Sequence, residues 1–327
     1  MNGNLLHAVA RTATGAVLVV AAMGAWAQQY PVKTVRIVVT LGPGSAGDLL
    51  TRLLAEPLGR SLGQTVIADN RPGAGGNLAA EIVAKAPPDG YTLFLTTIST
   101  HGINPTLYSK LPFDPVRDFA PITLSASSPN VLVVHPSMPV TNVKQLIAFA
   151  QARPGDLTFS SGGAGTSQHM SGELFNLMSG VNTTHVPYKA TPQSMAAVMS
   201  GEVVMSFASV PVAQATVKAG KLKGLGVTSG KRVAAWPEMA TIAEAGLPGF
   251  DVAAWFGYSA TGGTPPAVVN RLNEEFRKAQ RDPALRERLV AQGMEVTEST
   301  PEDFARYIRE EIAKWAKVVK ASGARAD

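Results

Sequence analysis

Beyond residue 30, short runs of β-branched and aromatic residues alternate with amphipathic stretches. Residues 35–40 read as a strand that runs into the turn Gly42-Pro43-Gly44-Ser45-Ala46-Gly47. Leu49, Leu50, Leu53, Leu54 and Leu58 then recur at helical spacing. Residues 65–68 form a second strand, closed by Asp69-Asn70-Arg71-Pro72-Gly73-Ala74-Gly75-Gly76; 77–85 is a helix and 91–95 a third strand. Further strands are predicted at 131–134, 157–160, 203–207, 222–227 and 252–258, and helices at 143–152, 167–178, 192–200 and 212–219. Three helices are expected to begin with a threonine cap and a proline in the first turn, at Thr191-Pro192, Thr264-Pro265 and Thr300-Pro301. Phe304, Ile308, Ile312, Trp315 and Val319 mark the apolar face of a last helix. Strands alternating with helices make this an α/β chain with mixed, mostly parallel sheets and helices on both faces.

Length adds the expectation of two domains, since 327 residues exceed one ordinary domain. The 45% hydrophobic and 16% charged residues exclude a disordered tail or a coiled coil. Basic residues outnumber acidic ones, 29 to 24, but lie scattered, so nucleic acid is not an expected partner. Cysteine is absent, which excludes disulfides, thiolate metal sites and a thiol nucleophile. Arg11, the apolar run over 12–25 and the small-x-small string Ala25-Trp26-Ala27 read as a signal peptide over 1–27, cleaved after Ala27. That run is shorter than the roughly 20 residues a membrane span needs. The mature protein is expected in the periplasm and not embedded in the membrane.

Gly42-x-Gly44-x-x-Gly47 fits a dinucleotide fingerprint, with Asp69 at the end of the next strand. An oxidoreductase is therefore the competing reading, although an exported chain meets little nucleotide. The same loop physics serves any compact anion, because a helix N-terminus offers free N–H groups and a partial positive charge. Gly44, Ser45, Ala46 and Asp48 stand at that turn and helix start. A second loop of this kind, Ser160-Ser161-Gly162-Gly163-Ala164-Gly165-Thr166-Ser167, supplies Ala164, Gly165, Thr166 and Ser167, with Thr166 or Ser167 as cap. Ser99, Thr100 and His101 follow the third strand and are expected at the same cleft, because parallel α/β sheets bind ligands beyond the carboxyl ends of their strands. Catalytic patterns are thin: no Gly-x-Ser-x-Gly elbow occurs, and the mature histidines show no metal-ligand spacing. No catalytic residue, metal or cofactor is expected, and His169 reads as a helix-face residue packing near the second loop.

The chain resembles the periplasmic solute receptors of tripartite tricarboxylate transporters, the Bug-type family. The resemblance rests on Gly42-Pro43-Gly44-Ser45-Ala46-Gly47-Asp48, the Asp69 to Gly76 string, Asp89-Gly90-Tyr91-Thr92-Leu93 and His101-Gly102-Ile103-Asn104-Pro105-Thr106-Leu107-Tyr108. It continues with His185-Val186-Pro187-Tyr188-Lys189, Gly220-Lys221-Leu222-Lys223, Trp255-Phe256-Gly257 and the Phe304, Glu310, Trp315 helix. It implies a two-domain Venus flytrap of type II-like form, domain 1 being 28–127 plus 252–327 and domain 2 being 128–251. The chain would cross near 125–131 and return near 250–255. It also implies a small carboxylate held between the two loops, partly through ordered waters, with Ser45, Ala46, Asp48, Thr166, Ser167 and Phe256 among its contacts, delivery to membrane permease subunits, and a monomer; a sensor for a signalling partner is the alternative role. Relatives typically carry an aspartate where Ala208 stands, so Ala208 implies a ligand without an amine: a dicarboxylate, an aromatic acid or a hydroxy acid.

Overall fold

A computed structural model describes residues 30–188 and 191–326. The expected signal peptide and cleavage site lie outside the described residues, as do Lys189 and Ala190. The first third of the described chain runs β1 (Val35–Val39), α1 (Ala46–Leu62), β2 (Val66–Asn70), α2 (Asn77–Ala84), β3 (Thr92–Thr97) and the short α3 (Asn104–Leu107). Then come β4 (Phe119–Val134), α4 (Val143–Gln151), β5 (Thr158–Ser161), α5 (Ser167–Ser179), β6 (Thr184–Pro187), α6 (Thr191–Ser200), β7 (Met205–Ser209), α7 (Val210–Lys218), β8 (Lys223–Val227) and α8 (Ile242–Ala245). The chain closes with β9 (Ala253–Thr261), α9 (Pro266–Gln280), α10 (Pro283–Ala291), β10 (Glu295–Val296) and α11 (Pro301–Ser322).

The strands follow the order β2-β1-β3-β9-β4-β7-β5-β6, with β8 and β10 also paired to β4. Parallel pairing is confined to the two flanks, β2-β1-β3 and β7-β5-β6. Every antiparallel pairing involves β4 or β9, so the sheet as a whole is mixed. β4 is the element that joins the flanks. From Phe119 to Pro129 it pairs with β9, and from Asn130 to Val134 with β7. The sequence pattern shows only the last four residues of this strand. Pro121, Pro129 and a run of serines hide the rest, because prolines and buried polar residues break the usual strand signature.

The apolar stripe on α1 is buried as expected at Leu50, Leu53, Leu54 and Leu58. These residues pack with β1, β3 and β9 into one core; Val131, Val133, Val198 and Ala208 belong to a second, on the other flank. A third and larger cluster joins Ile98, Ile103 and Leu107 to Leu132, Phe159 and the face of α11. Helix α11 lies against β9 at Gly257, where a Cβ would stand 2.2 Å from Phe304 Cζ and 2.8 Å from Thr123 O. Only a bare backbone admits the Phe304 ring there.

Thr300 caps α11 as predicted, accepting from Asp303 N at 3.1 Å with Pro301 in the first turn. The other two expected starts shift by one residue. Thr191 is the first helical residue of α6, and α9 begins at Pro266 with Pro265 at the cap. The Thr264 hydroxyl turns back to Thr261 O at 2.7 Å instead.

Candidate functional site

The first loop is organised by one carboxylate. Asp48, 3% exposed, accepts from Gly44 N at 2.9 Å, from Arg52 Nε at 2.9 and 3.1 Å, and from Asn70 Nδ2 at 2.9 Å. Asn70 donates in turn to Leu41 O, so the ends of β1 and β2 are tied to the start of α1. Burial pushes the Asp48 carboxyl up, but hydrogen bonds from Arg52, Gly44 and Asn70 outweigh it and hold the group below the ordinary carboxylate value. Ser45 caps α1 through its side chain, accepting from Asp48 N. The amides of Ala46 and Gly47 find no acceptor among the described residues, as the first turn of a helix requires. Gly47 is packed so closely that a Cβ would meet Leu95 Cδ2 at 2.6 Å and Phe256 Cε1 at 3.4 Å. Phe256, 4% exposed, is therefore the floor under this helix end.

The second loop repeats the device with different partners. Thr166 caps α5, accepting from His169 N at 3.3 Å and donating to Gly163 O at 2.7 Å. Gln168 Oε1 accepts from Gly162 N, Ser161 Oγ from Gly163 N, and His169 Nδ1 from Gly165 N. Those bonds engage the amides of Gly162, Gly163 and Gly165. The amides of Ala164 and Ser167 find no acceptor among the described residues. Ser167 Oγ accepts from Asn130 Nδ2 at 3.3 Å, which fastens the start of α5 to the residue where β4 changes partners.

Two stacked histidines lie under this loop. The His169 and His185 rings are 3.9 Å apart at 18°, and His185 Nε2 is 2.7 Å from Ser161 Oγ. Burial, with His169 alongside, pushes His185 down to about 3, so it is neutral at neutral pH. His169 Nε2 faces Glu173 Oε1 at 3.4 Å. His101, in contrast, is fully buried among Phe94, Phe113 and Phe119, and burial lowers it to about 3 as well.

The loops after β2, β3 and β5 meet. A Cβ on Gly76 would stand 2.7 Å from Thr100 Cγ2 and 3.2 Å from Thr40 Cβ at the end of β1. Ser99 Oγ donates to Gly165 O at 2.9 Å. Of the expected contacts, Gly44, Ser45, Ala46 and Asp48 thus share one helix end with Phe256, and Ala164, Gly165, Thr166 and Ser167 share the other with Ser99. Three stand apart. His101 is buried among its phenylalanines. Thr100 is fully buried, its hydroxyl engaged with Thr97 and His101. Ala208 is fully buried in the apolar cluster with Val131 and Val210, and leaves no surface for a ligand. Asn70, Asn104, Asn130, Gln168 and His185 escaped the sequence reading. Asn70, Asn104, Asn130 and His185 act on loops distant in sequence and Gln168 on Gly162 of its own loop, and of these Asn70, Asn104 and His185 lie in strings that carry the resemblance.

Residues 50–324 match the family described as the tripartite tricarboxylate transporter family receptor, TctC. The chain belongs to that family. R. palustris Rpa4515, solved with adipate, is 37% identical with a TM-score of 0.82, covering 90% of this chain and 99% of its own. MatC (Rpa3494) from Rhodopseudomonas palustris, solved with bound malate, is 33% identical with a TM-score of 0.79, covering 89% and 100%. The periplasmic binding protein BugD is 31% identical with a TM-score of 0.79, covering 91% and 100%. This is a Bug-type TctC receptor, a periplasmic solute-binding protein and not an enzyme. No helix among the described residues is long and apolar enough to cross a membrane. The dinucleotide reading also loses its local support: Gly44 N–H is spent on Asp48, and Asp69 pairs with Arg36 and Arg71.

Proposed function

We propose that this TctC receptor captures a small carboxylate between domain 1 (28–127 plus 252–327) and domain 2 (128–251) and delivers it to membrane permease subunits. The observation that carries the reading is the pair of helix N-termini, α1 and α5, each with a side-chain cap and unpaired amides in a polar, uncharged loop. Relatives solved with adipate and malate support a dicarboxylate or hydroxy acid. Export by a signal peptide cleaved after Ala27 completes the picture. The ligand is proposed to lack an ammonium group. Residues 42–47, 71–76, 99–104 and 162–167 contain no acid, and the neighbouring Asp48 is saturated by its own partners. An ammonium would thus be stripped of water with no counter-charge.

Calorimetric titration of the chain from Gln28 onward tests the ligand class. Succinate or L-malate is expected to bind at least about tenfold more tightly than L-aspartate, a difference of about 1.4 kcal/mol. L-aspartate binding more tightly than succinate would sink the proposal.

A further inference from the structure

Gly165 is held from two sides. Its N–H donates to His169 Nδ1 at 3.2 Å, within the second loop's own flank. Its carbonyl accepts from Ser99 Oγ at 2.9 Å, and Ser99 belongs to the turn after β3, on the other flank. The backbone there has φ +74°, and a Cβ would stand 2.8 Å from Leu107 Cδ2 and 3.2 Å from Asn104 Oδ1. Leu107 and Asn104 form the short helix α3, so the bare Cα of Gly165 is seated on the first flank as firmly as its carbonyl is tied to it. Asn104 is fully buried. Its Nδ2 donates to Gly75 O at 3.0 Å and to Asn77 Oδ1 at 2.7 Å, which fixes the loop after β2 to the same point. Its Oδ1 is buried without a partner among the described residues.

A serine hydroxyl has one proton to give, and here Gly165 takes it. We propose that Ser99 is a closure latch. Its bond to Gly165 belongs to the closed arrangement, which the unliganded chain already samples and a ligand favours, and breaks when the domains open; α3 provides a seat that admits only glycine. Ser99 is then a positioning residue for the second ligand loop. The inference rests on the receptor reading above. Both partners of the bond sit on loops anchored within their own flank, Gly165 through His169 and the turn of Ser99 through Thr97 and Thr100. Hinge motion therefore moves them as units, and the bond is made or lost as a whole. One ordinary hydrogen bond shifts such an equilibrium by about tenfold at most.

The chain has no cysteine, so a pair of spin labels reports the domain separation cleanly. Val116→Cys and Met199→Cys place them at exposed positions on opposite flanks. In the unliganded protein, Ser99→Ala is expected to shift the measured distance distribution towards the open state. It should raise the Kd for adipate or L-malate by up to about tenfold. Ser99→Thr, which keeps the hydroxyl, should restore both readouts. A merely structural serine would lower the thermal midpoint without moving the distance. An unchanged distance distribution in Ser99→Ala overturns the latch. If neither adipate nor L-malate binds the unmutated chain, the receptor reading fails in its stated ligand class, and the unliganded distances still decide the latch.

Discussion

Asp48→Ala is expected to abolish measurable carboxylate binding and to lower the free energy of unfolding by about 2–3 kcal/mol. The carboxylate is buried and gathers three donors at once: the Gly44 amide, the Arg52 guanidinium and the Asn70 amide. Without it, the Gly44 amide and Asn70 lose an acceptor, and the turn that presents Ala46 and Gly47 keeps only the Ser45 N–H to Gly42 O bond and the Ser45 cap. The half-exposed Arg52 can return to water, which keeps the stability cost below that of a wholly buried pair. Asp48→Asn keeps the shape and loses the charge, so it should fall between. The group's folded value lies below its unfolded one. Its stabilisation is therefore present above about pH 4 and lost as pH falls through the folded value. Calorimetry and urea midpoints at pH 7 and pH 3 read both effects. An Asp48→Ala chain that binds with unchanged affinity would show that the first loop needs no such anchor.

Glu311→Ala should cost about 3–4 kcal/mol, the larger of the two stability losses. Glu311 is 6% exposed, and its Oε2 accepts from both Trp255 Nε1 and Trp315 Nε1 at 2.8 Å. Trp255 stands on β9, where the chain returns between the flanks, and Trp315 on α11. The carboxylate thus joins the last helix to a crossing strand, and Lys314 Nζ at 3.6 Å balances its charge. Removing it leaves two indole N–H groups buried without an acceptor. Glu311→Gln retains an oxygen for the indoles and should cost about 1 kcal/mol. Urea midpoints and tryptophan emission measure this. A Glu311→Ala loss under 1 kcal/mol would mean that the pair of indoles finds other partners.

Both helix ends were legible in the sequence because their signals are local. A glycine turn, a hydroxyl cap and an apolar stripe fall within about a dozen residues of each other at Ser45 and again at Thr166. The groups that hold these ends in place were not legible. Asn70 reaches Asp48 across 22 residues, Asn130 reaches Ser167 across 37, and Ser99 reaches Gly165 across 66. No spacing rule marks such partners. Asp48 illustrates the difference. Its position at the loop is evident from the string, but its role as an internal anchor appears only when its partners are seen. Ala208 is a matter of strand alternation. Phe207 and Ala208 point to opposite faces of β7 and both faces are covered, Phe207 by the large shared cluster and Ala208 by the core of its own flank. In α11 the periodic stripe is right, yet it conceals a carboxylate: Glu311 is buried, whereas Glu310 is exposed. Helix periodicity separates the two, since Glu311 lies three residues from Ile308 and four from Trp315 while Glu310 is about 100° round the helix, but it does not show that two indoles hold the buried one.

The central claim is that a carboxylate is gripped by the unpaired amides of two helix ends. Amide chemical shifts of the labelled chain, followed while succinate, L-malate or adipate is added to saturation, address it directly. The largest changes are expected at Ala46, Gly47, Ala164 and Ser167, on both flanks and with the same midpoint. Changes confined to one flank, or centred away from both helix ends, would contradict it.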